Sequence, residues 1–167
     1  MGVDFTIRDF RRDDFLRLWE IDRKCFPRGI SYSQVELLSY IRRPRAFTLV
    51  AEQTAKGDGR SGAVVETVGF LVAEAGSRQT GHIITIDVLE NARRGGLGSR
   101  LMTVAEERLH EAGCQAVFLE TAVDNAAALA FYKRHGYFLL KTVPRYYANG
   151  VDAFVLKKDL PLPGSSG

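Results

Sequence analysis

Only two cysteines, Cys25 and Cys114, occur among the 167 residues. Neither belongs to a Cys-x-x-Cys pair or to a Cys/His spacing that could hold zinc. A zinc module and a disulfide-stapled fold are both excluded, and no metal is expected. Two separate thiols predict a reducing, cytoplasmic compartment. No apolar run reaches the roughly 20 residues of a membrane span, and no secretory leader is visible. Charge of one sign is also lacking: 23 Lys and Arg face 20 Asp and Glu, a formal net charge of +3. No dense basic run with interleaved aromatics appears, so neither nucleic acid nor a membrane is the expected partner. The cluster Arg42-Arg43-Pro44-Arg45 reads as a solvated helix end. The three histidines, His82, His110 and His135, stand singly at predicted element ends and read as surface residues.

What is present is core. With 46% hydrophobic residues the chain can form one ordinary globular domain, assigned to residues 1–160. A Pro/Gly/Ser-rich tail, 161–167, is expected to be disordered. Phe5 and Ile7 alternate as in a short strand. Phe15, Leu18, Trp19 and Ile21 recur at helical spacing over 14–25, and Pro27 and Gly29 break that helix. Ser33 with Glu36 forms a capping-box pattern for a second helix that ends before Pro44. Strands are predicted at 47–52, 68–74 and 83–88, the first two joined by a flexible loop at 56–62. A helix carrying Leu101, Met102, Val104, Ala105 and Leu109 follows, stopped by Gly113. A strand at 116–121, a helix capped by Asp124 or Asn125 and ended by Gly136, and strands at 137–142 and 153–156 complete the chain. This order predicts an α/β (α+β) domain with helices on both faces of a largely antiparallel sheet.

The run at 83–88 is apolar at nearly every position and should lie centrally in the sheet. It leads into Arg93-Arg94-Gly95-Gly96-Leu97-Gly98-Ser99 and then directly into a helix. That sequence places several backbone N–H groups at a helix N-terminus with arginines beside them, a setting suited to phosphate. A P-loop is excluded because no lysine follows the glycines. A dinucleotide fingerprint is excluded because Leu101 stands where the third glycine belongs and the motif follows the fourth strand rather than the first.

The remaining pattern, Arg93-x-x-Gly96-x-Gly98 between a central strand and a helix, resembles the acetyl-CoA loop of the GCN5-related N-acetyltransferase (GNAT) superfamily. A second block, from Leu119-Glu120-Thr121 through Asn125 and Tyr132 to Gly136-Tyr137, is similar to that family's strand–Asn–helix–Tyr segment. Glu120 at the strand end, Asn125 five residues on and Tyr132 seven beyond resemble the RimI-like ribosomal-protein-alanine acetyltransferases and other protein N-terminal acetyltransferases. So do Tyr146-Tyr147 before Gly150-Val151-Asp152, and Phe26-Pro27 with Tyr32. The likeness extends over residues 3–160.

The resemblance implies a GNAT fold, with a mixed, mostly antiparallel sheet of about seven strands flanked by about four helices. It implies acetyl-CoA as cosubstrate and direct acetyl transfer to an amine, foremost the N-terminal α-amine of a protein or peptide, a ribosomal protein among the candidates. By the same resemblance, backbone groups of Ile86, Asp87 and Val88 hold the acetyl and pantetheine portion. Arg93, Arg94, Gly95, Gly96, Leu97, Gly98 and Ser99 hold the pyrophosphate, and Asn125 and Tyr132 also contact the cosubstrate. Phe26, Pro27, Tyr32, Tyr146 and Tyr147 receive the acceptor. Glu120 is the implied general base and Tyr132 the implied general acid. Asp87 departs from the small apolar residue common at its place. Alternation sets it opposite Ile86, either as a second carboxylate in the site or against a buried partner. A small-molecule amine acetyltransferase and a non-catalytic CoA-binding domain remain the alternatives. The acceptor matters to the chemistry: an α-amine titrates near ~8 and a lysine near ~10.4, so deprotonating the lysine costs roughly 3 kcal/mol more. One carboxylate acting through a water suffices for the former.

Overall fold

A computed structural model of the protein describes residues 4–55 and 62–161. Apart from Gly62 and Pro161, the expected flexible loop at 56–62 and the expected disordered tail at 161–167 lie outside the described residues. Among those described, the chain forms seven strands and four α-helices, in the order that the periodicities predict. β1 (Asp4–Asp9) passes through a 3-10 turn (Arg12–Asp14) into α1 (Phe15–Cys25) and α2 (Gln34–Ile41). β2 (Ala46–Ala55), β3 (Val64–Ala75) and β4 (Thr80–Val88) follow as an antiparallel meander. α3 (Leu97–Glu111), β5 (Ala116–Ala122), α4 (Ala126–Arg134), β6 (Phe138–Val143) and β7 (Ala153–Asp159) complete the domain.

Local chemistry sets the element ends. At the start of α2, the Glu36 amide donates to Ser33 Oγ and the Ser33 amide donates to Glu36 Oε1, both at 3.1 Å. Two amides that the helix leaves unpaired are thereby satisfied. Ser33→Ala should therefore destabilise the protein by about 1 kcal/mol. A melting temperature lower by about 2–4 °C in a thermal scan is the expected reading for a chain of this size.

The strands form one sheet in the order β1-β2-β3-β4-β5-β7-β6. Every neighbouring pair is antiparallel except β4 and β5. One face packs Val50, Phe70 and Val72 under Leu18 and Ile21 of α1 and Leu37 of α2. The other packs Leu49, Leu71, Ile83, Val117 and Leu119 under Leu101, Met102, Ala105 and Leu109 of α3 and Tyr132 of α4. Burial of each such large side chain stabilises the fold by about 1.5–3 kcal/mol.

β4 is longer than the 83–88 run predicted from its apolar pattern, because Gly81 and His82 pair with Ala75 and Glu74 of β3. Backbone pairing satisfies these residues whatever their side chains are. Gly81 also lets α3 sit close to the sheet: a Cβ there would lie 2.8 Å from Leu109 Cδ1. The register of β3 and β4 shifts between Val72–Thr85 and Ala73–Ile83, which leaves Ile84 as the extra residue of a bulge. Ile83 packs on the α3 side and Ile84 on the α1–α2 side, as successive strand residues do, and the bulge sets Thr85 and Asp87 on the α1–α2 side as well.

Candidate active site

The parallel ladder between β4 and β5 is short. Thr80 pairs with Ala116, Gly81 with Val117 and His82 with Phe118. Beyond these pairs the two strands part, while β4 continues to Val88 and β5 to Ala122. Backbone groups facing the gap have no strand partner there, so an extended, amide-bearing chain can lie between them as a strand would. The gap opens into a cavity of about 990 Å³, walled by Ile84, Ile86 and Val88 on one side and Leu119, Glu120 and Ala122 on the other.

One end of the cavity is built for anions. Arg94 and Gly96 both take left-handed backbone conformations, at φ of +74° and +79°. Such a conformation at a non-glycine residue costs on the order of 1 kcal/mol and is held only where the surroundings demand it. It turns the chain sharply from β4 into α3, whose first turn has no side-chain cap. The leading amides of α3 therefore keep their hydrogen-bonding capacity for a ligand. Arg93, Arg94 and Arg134 line the same end, with Gly96, Leu97, Gly98 and Ser99. Arg93 is also fixed to β4, its Nε donating to the Val88 carbonyl at 2.8 Å. Behind the turn, Ser99 Oγ lies 2.9 Å from His135 Nε2. Burial holds His135 below the ordinary imidazole range, so it stays uncharged at neutral pH. A strand-wide slot ending on an uncapped helix N-terminus between arginines fits a pantetheine arm with its pyrophosphate. Among the described residues no group of three or more His, Cys, Asp or Glu could hold a metal.

The fork itself carries a carboxylate–imidazole pair. His82 ends the ladder, and Glu120 lies two residues beyond its partner Phe118 on the same face of β5. Glu120 Oε2 and His82 Nε2 are 2.6 Å apart. Their side chains are 23% and 37% exposed, sheltered yet reachable by water. Tyr132 is buried at the cavity wall, and burial, with Asp87 and Tyr147 nearby, pushes its hydroxyl well above the usual phenol range. The hydroxyl thus stays protonated at neutral pH. Asn125 also lines the cavity, but its Oδ1 accepts the Ala128 amide at 3.1 Å and caps α4.

The opposite end is aromatic. Phe26, Pro27 and Tyr32 come from the loop between α1 and α2, and Tyr146 and Tyr147 from the loop between β6 and β7. The Tyr32 hydroxyl donates to the Ile84 carbonyl at 3.3 Å, and its ring meets Tyr40 edge-on at 5.3 Å. Tyr146 and Tyr147 stand at 87° to one another, 4.9 Å apart. The two loops touch: the Ala148 amide donates to the Gly29 carbonyl at 3.1 Å.

Most residues expected from the sequence meet in this cavity, with two exceptions. The side chain of Asp87 is fully buried outside it, and Gly95 turns away, a Cβ there falling 2.9 Å from the Phe5 ring. The reading of the histidines as lone surface residues is corrected for two of them: His82 lies within β4 against Glu120, and His135 Nε2 lies against Ser99 Oγ. His110 stands at the end of α3 as expected, its Nε2 2.9 Å from the Pro161 carbonyl in an exposed contact. Nothing local to the sequence marks His82; its meaning comes from the β4–β5 register.

Comparison with known proteins agrees with this geometry. The N-alpha-acetyltransferase of Sulfurisphaera tokodaii is 28% identical over 171 residues, covering 95% of each chain. The N-alpha-acetyltransferase MAK3 of Arabidopsis thaliana is 42% identical over 99 residues, which are 58% of this chain and 52% of that protein. The crystal structure of Ard1 from Thermoplasma volcanium superposes with a TM-score of 0.79 at 27% identity, covering 95% of this chain and 99% of that one. The family model described as the acetyltransferase (GNAT) family matches residues 15–137. Spanning the fork, the helix-capped turn and the helix that carries Tyr132, that match settles the kinship: the chain belongs to the GNAT acetyltransferase family.

Proposed function

We propose that the protein transfers the acetyl group of acetyl-CoA to the α-amine of a protein or peptide N-terminus. The observation that carries this reading is the Glu120–His82 pair at the fork, facing a cavity whose far end is closed by two touching aromatic loops. Acetyl-CoA supplies an activated acyl group and a good leaving thiol. The α3 N-terminus and Arg93, Arg94 and Arg134 would hold its phosphate portion, and the edges of β4 and β5 its pantetheine arm. Glu120, with His82 beside it, takes a proton from the incoming amine through a water. About a tenth of an α-amine is already neutral at pH 7, so one modest base is enough. Tyr132 returns a proton to the departing sulfur. Phe26, Pro27, Tyr32, Tyr146 and Tyr147 clasp the first residues of the acceptor. The relatives' names support a protein N-terminus over a small amine, and a ribosomal protein is one acceptor to test. A cytoplasmic setting is consistent with both cysteines being free thiols, and among the described residues no helix is long and apolar enough to cross a membrane.

Thiol release from acetyl-CoA tests the proposal. Peptides with free N-termini, ribosomal-protein sequences among them, should turn over. The same peptides with blocked N-termini and one internal lysine should not. Turnover confined to polyamines, aminoglycosides or free amino acids would overturn the assignment of the acceptor, and binding without turnover on any amine would overturn the enzyme.

A further inference from the structure

Asp22 of α1 and Asp87 of β4 are both fully buried, at 0% exposure. Asp87 pairs across the ladder with Phe70, so its side chain lies on the α1–α2 face of the sheet. One oxygen of each carboxyl is engaged. Asp22 Oδ2 accepts the Tyr32 amide at 2.7 Å, and Asp87 Oδ1 accepts the Thr85 hydroxyl at 2.5 Å. Asp22 Oδ1 and Asp87 Oδ2 are both buried with no hydrogen-bond partner, and the two carboxyls are near enough for Asp22 to raise Asp87. Two buried carboxyls can face each other only with a proton between them; as two bare anions, shielded from water, they would repel. Burial first, and Asp22 second, push Asp87 well above the usual carboxylate range.

This pair has a mechanical consequence. The chain of contacts runs from β4 through Asp87 to Asp22 and on to the Tyr32 amide, in the loop that presents Phe26, Pro27 and Tyr32 to the cavity. Tyr32 is held on two further sides, by Trp19 Nε1 donating to its carbonyl at 3.2 Å and by its hydroxyl on the Ile84 carbonyl. We propose that Asp22 and Asp87 share one proton and together act as positioning residues, clamping the α1–α2 loop to β4 in the arrangement that receives the acceptor. The role given to the loop rests on the proposed peptide acceptor; the shared proton does not.

Other groups face the pair from each neighbouring element. Cys25 of α1 has its thiol pushed up to about 11, by burial and then by Asp87. The Tyr32 hydroxyl faces it from the loop and Tyr132 from α4, and both stay protonated. Thr85 is neutral, and Arg93 brings a positive charge, which eases ionisation of Asp87 without overcoming its burial. As pH rises, loss of the shared proton leaves two like charges facing each other and frees the loop.

Asp87→Asn keeps a donor toward Asp22 but carries no titratable proton, while Asp87→Ala cuts the clamp. KM for a free-N-terminus peptide and kcat are to be measured between about pH 6 and pH 10 for all three proteins. The acceptor amine titrates identically in each, so the ratio of wild-type to Asn KM isolates the clamp. That ratio should rise at least threefold toward alkaline pH. The Ala variant should show a KM about tenfold higher throughout, with a smaller change in kcat. Thermal midpoints provide a substrate-free check. The native state holds the Asp87 proton to higher pH than the unfolded chain does, so wild-type stability should fall relative to Asp87→Asn as pH rises from about 4. Parallel midpoints would overturn the shared proton. Diverging midpoints with a constant KM ratio would overturn the positioning role. Diverging midpoints with no peptide turned over would leave the shared proton standing and overturn the acceptor reading instead.

Discussion

Replacing Glu120 by Gln is expected to lower kcat by about 10²–10³-fold, the range over which a positioned acid or base accelerates proton transfer. Gln fills the same volume and can still hydrogen-bond His82, so the fork keeps its shape. What it cannot do is accept a proton. Because the cavity is walled by many other residues, KM for acetyl-CoA should stay within about twofold, which places the loss in the chemical step. Steady-state kinetics on one good peptide reads both quantities. Unchanged kcat would remove Glu120 as the base. The 2.6 Å contact with His82 makes the histidine the natural second suspect. His82→Asn should cost less, because Glu120 retains its access to water. If the order is reversed, with His82→Asn the more damaging, the imidazole is the base and Glu120 its orienting partner.

Much of this arrangement was legible in the sequence, and what was not shares one physical reason. Ser33 with Glu36, Asn125 ahead of α4, and Gly136 behind it announce helix ends through hydrogen bonds made within a few residues. The period of Leu101, Met102, Ala105 and Leu109 fixes the buried face of α3 in the same local way. His82 and Glu120 are 38 positions apart and meet only because β4 and β5 run parallel in one particular register. Asp22 and Asp87 meet because the bulge at Ile84 turns Thr85 and Asp87 toward α1. Alternation alone set Asp87 opposite Ile86 but could not say what waited there. Pairings of this kind are decided by strand register and helix docking, quantities that a single chain's periodicity does not contain.

The cosubstrate end offers the second large effect. Gly96→Val is expected to raise KM for acetyl-CoA by about 5- to 30-fold with kcat little changed. Gly96 holds φ at +79°, and nothing lies within 4 Å of where its Cβ would be. Crowding inside the free protein is therefore not the issue. The cost is conformational: a left-handed backbone is unfavourable by roughly 1–2 kcal/mol for an L-residue, and a β-branched side chain tolerates it worst. The turn relieves that strain by rotating away, which misaims the leading amides of α3. At about 1.4 kcal/mol per factor of ten, the strain converts to the stated loss of affinity. Gly96→Asn separates conformation from bulk, since asparagine accepts the left-handed region far better than valine. A KM for the Asn variant near that of the native protein, alongside a damaged Val variant, assigns the effect to backbone conformation. Equal damage in both would mean that the open space over Gly96 is itself filled by the phosphate, leaving no room there for any side chain.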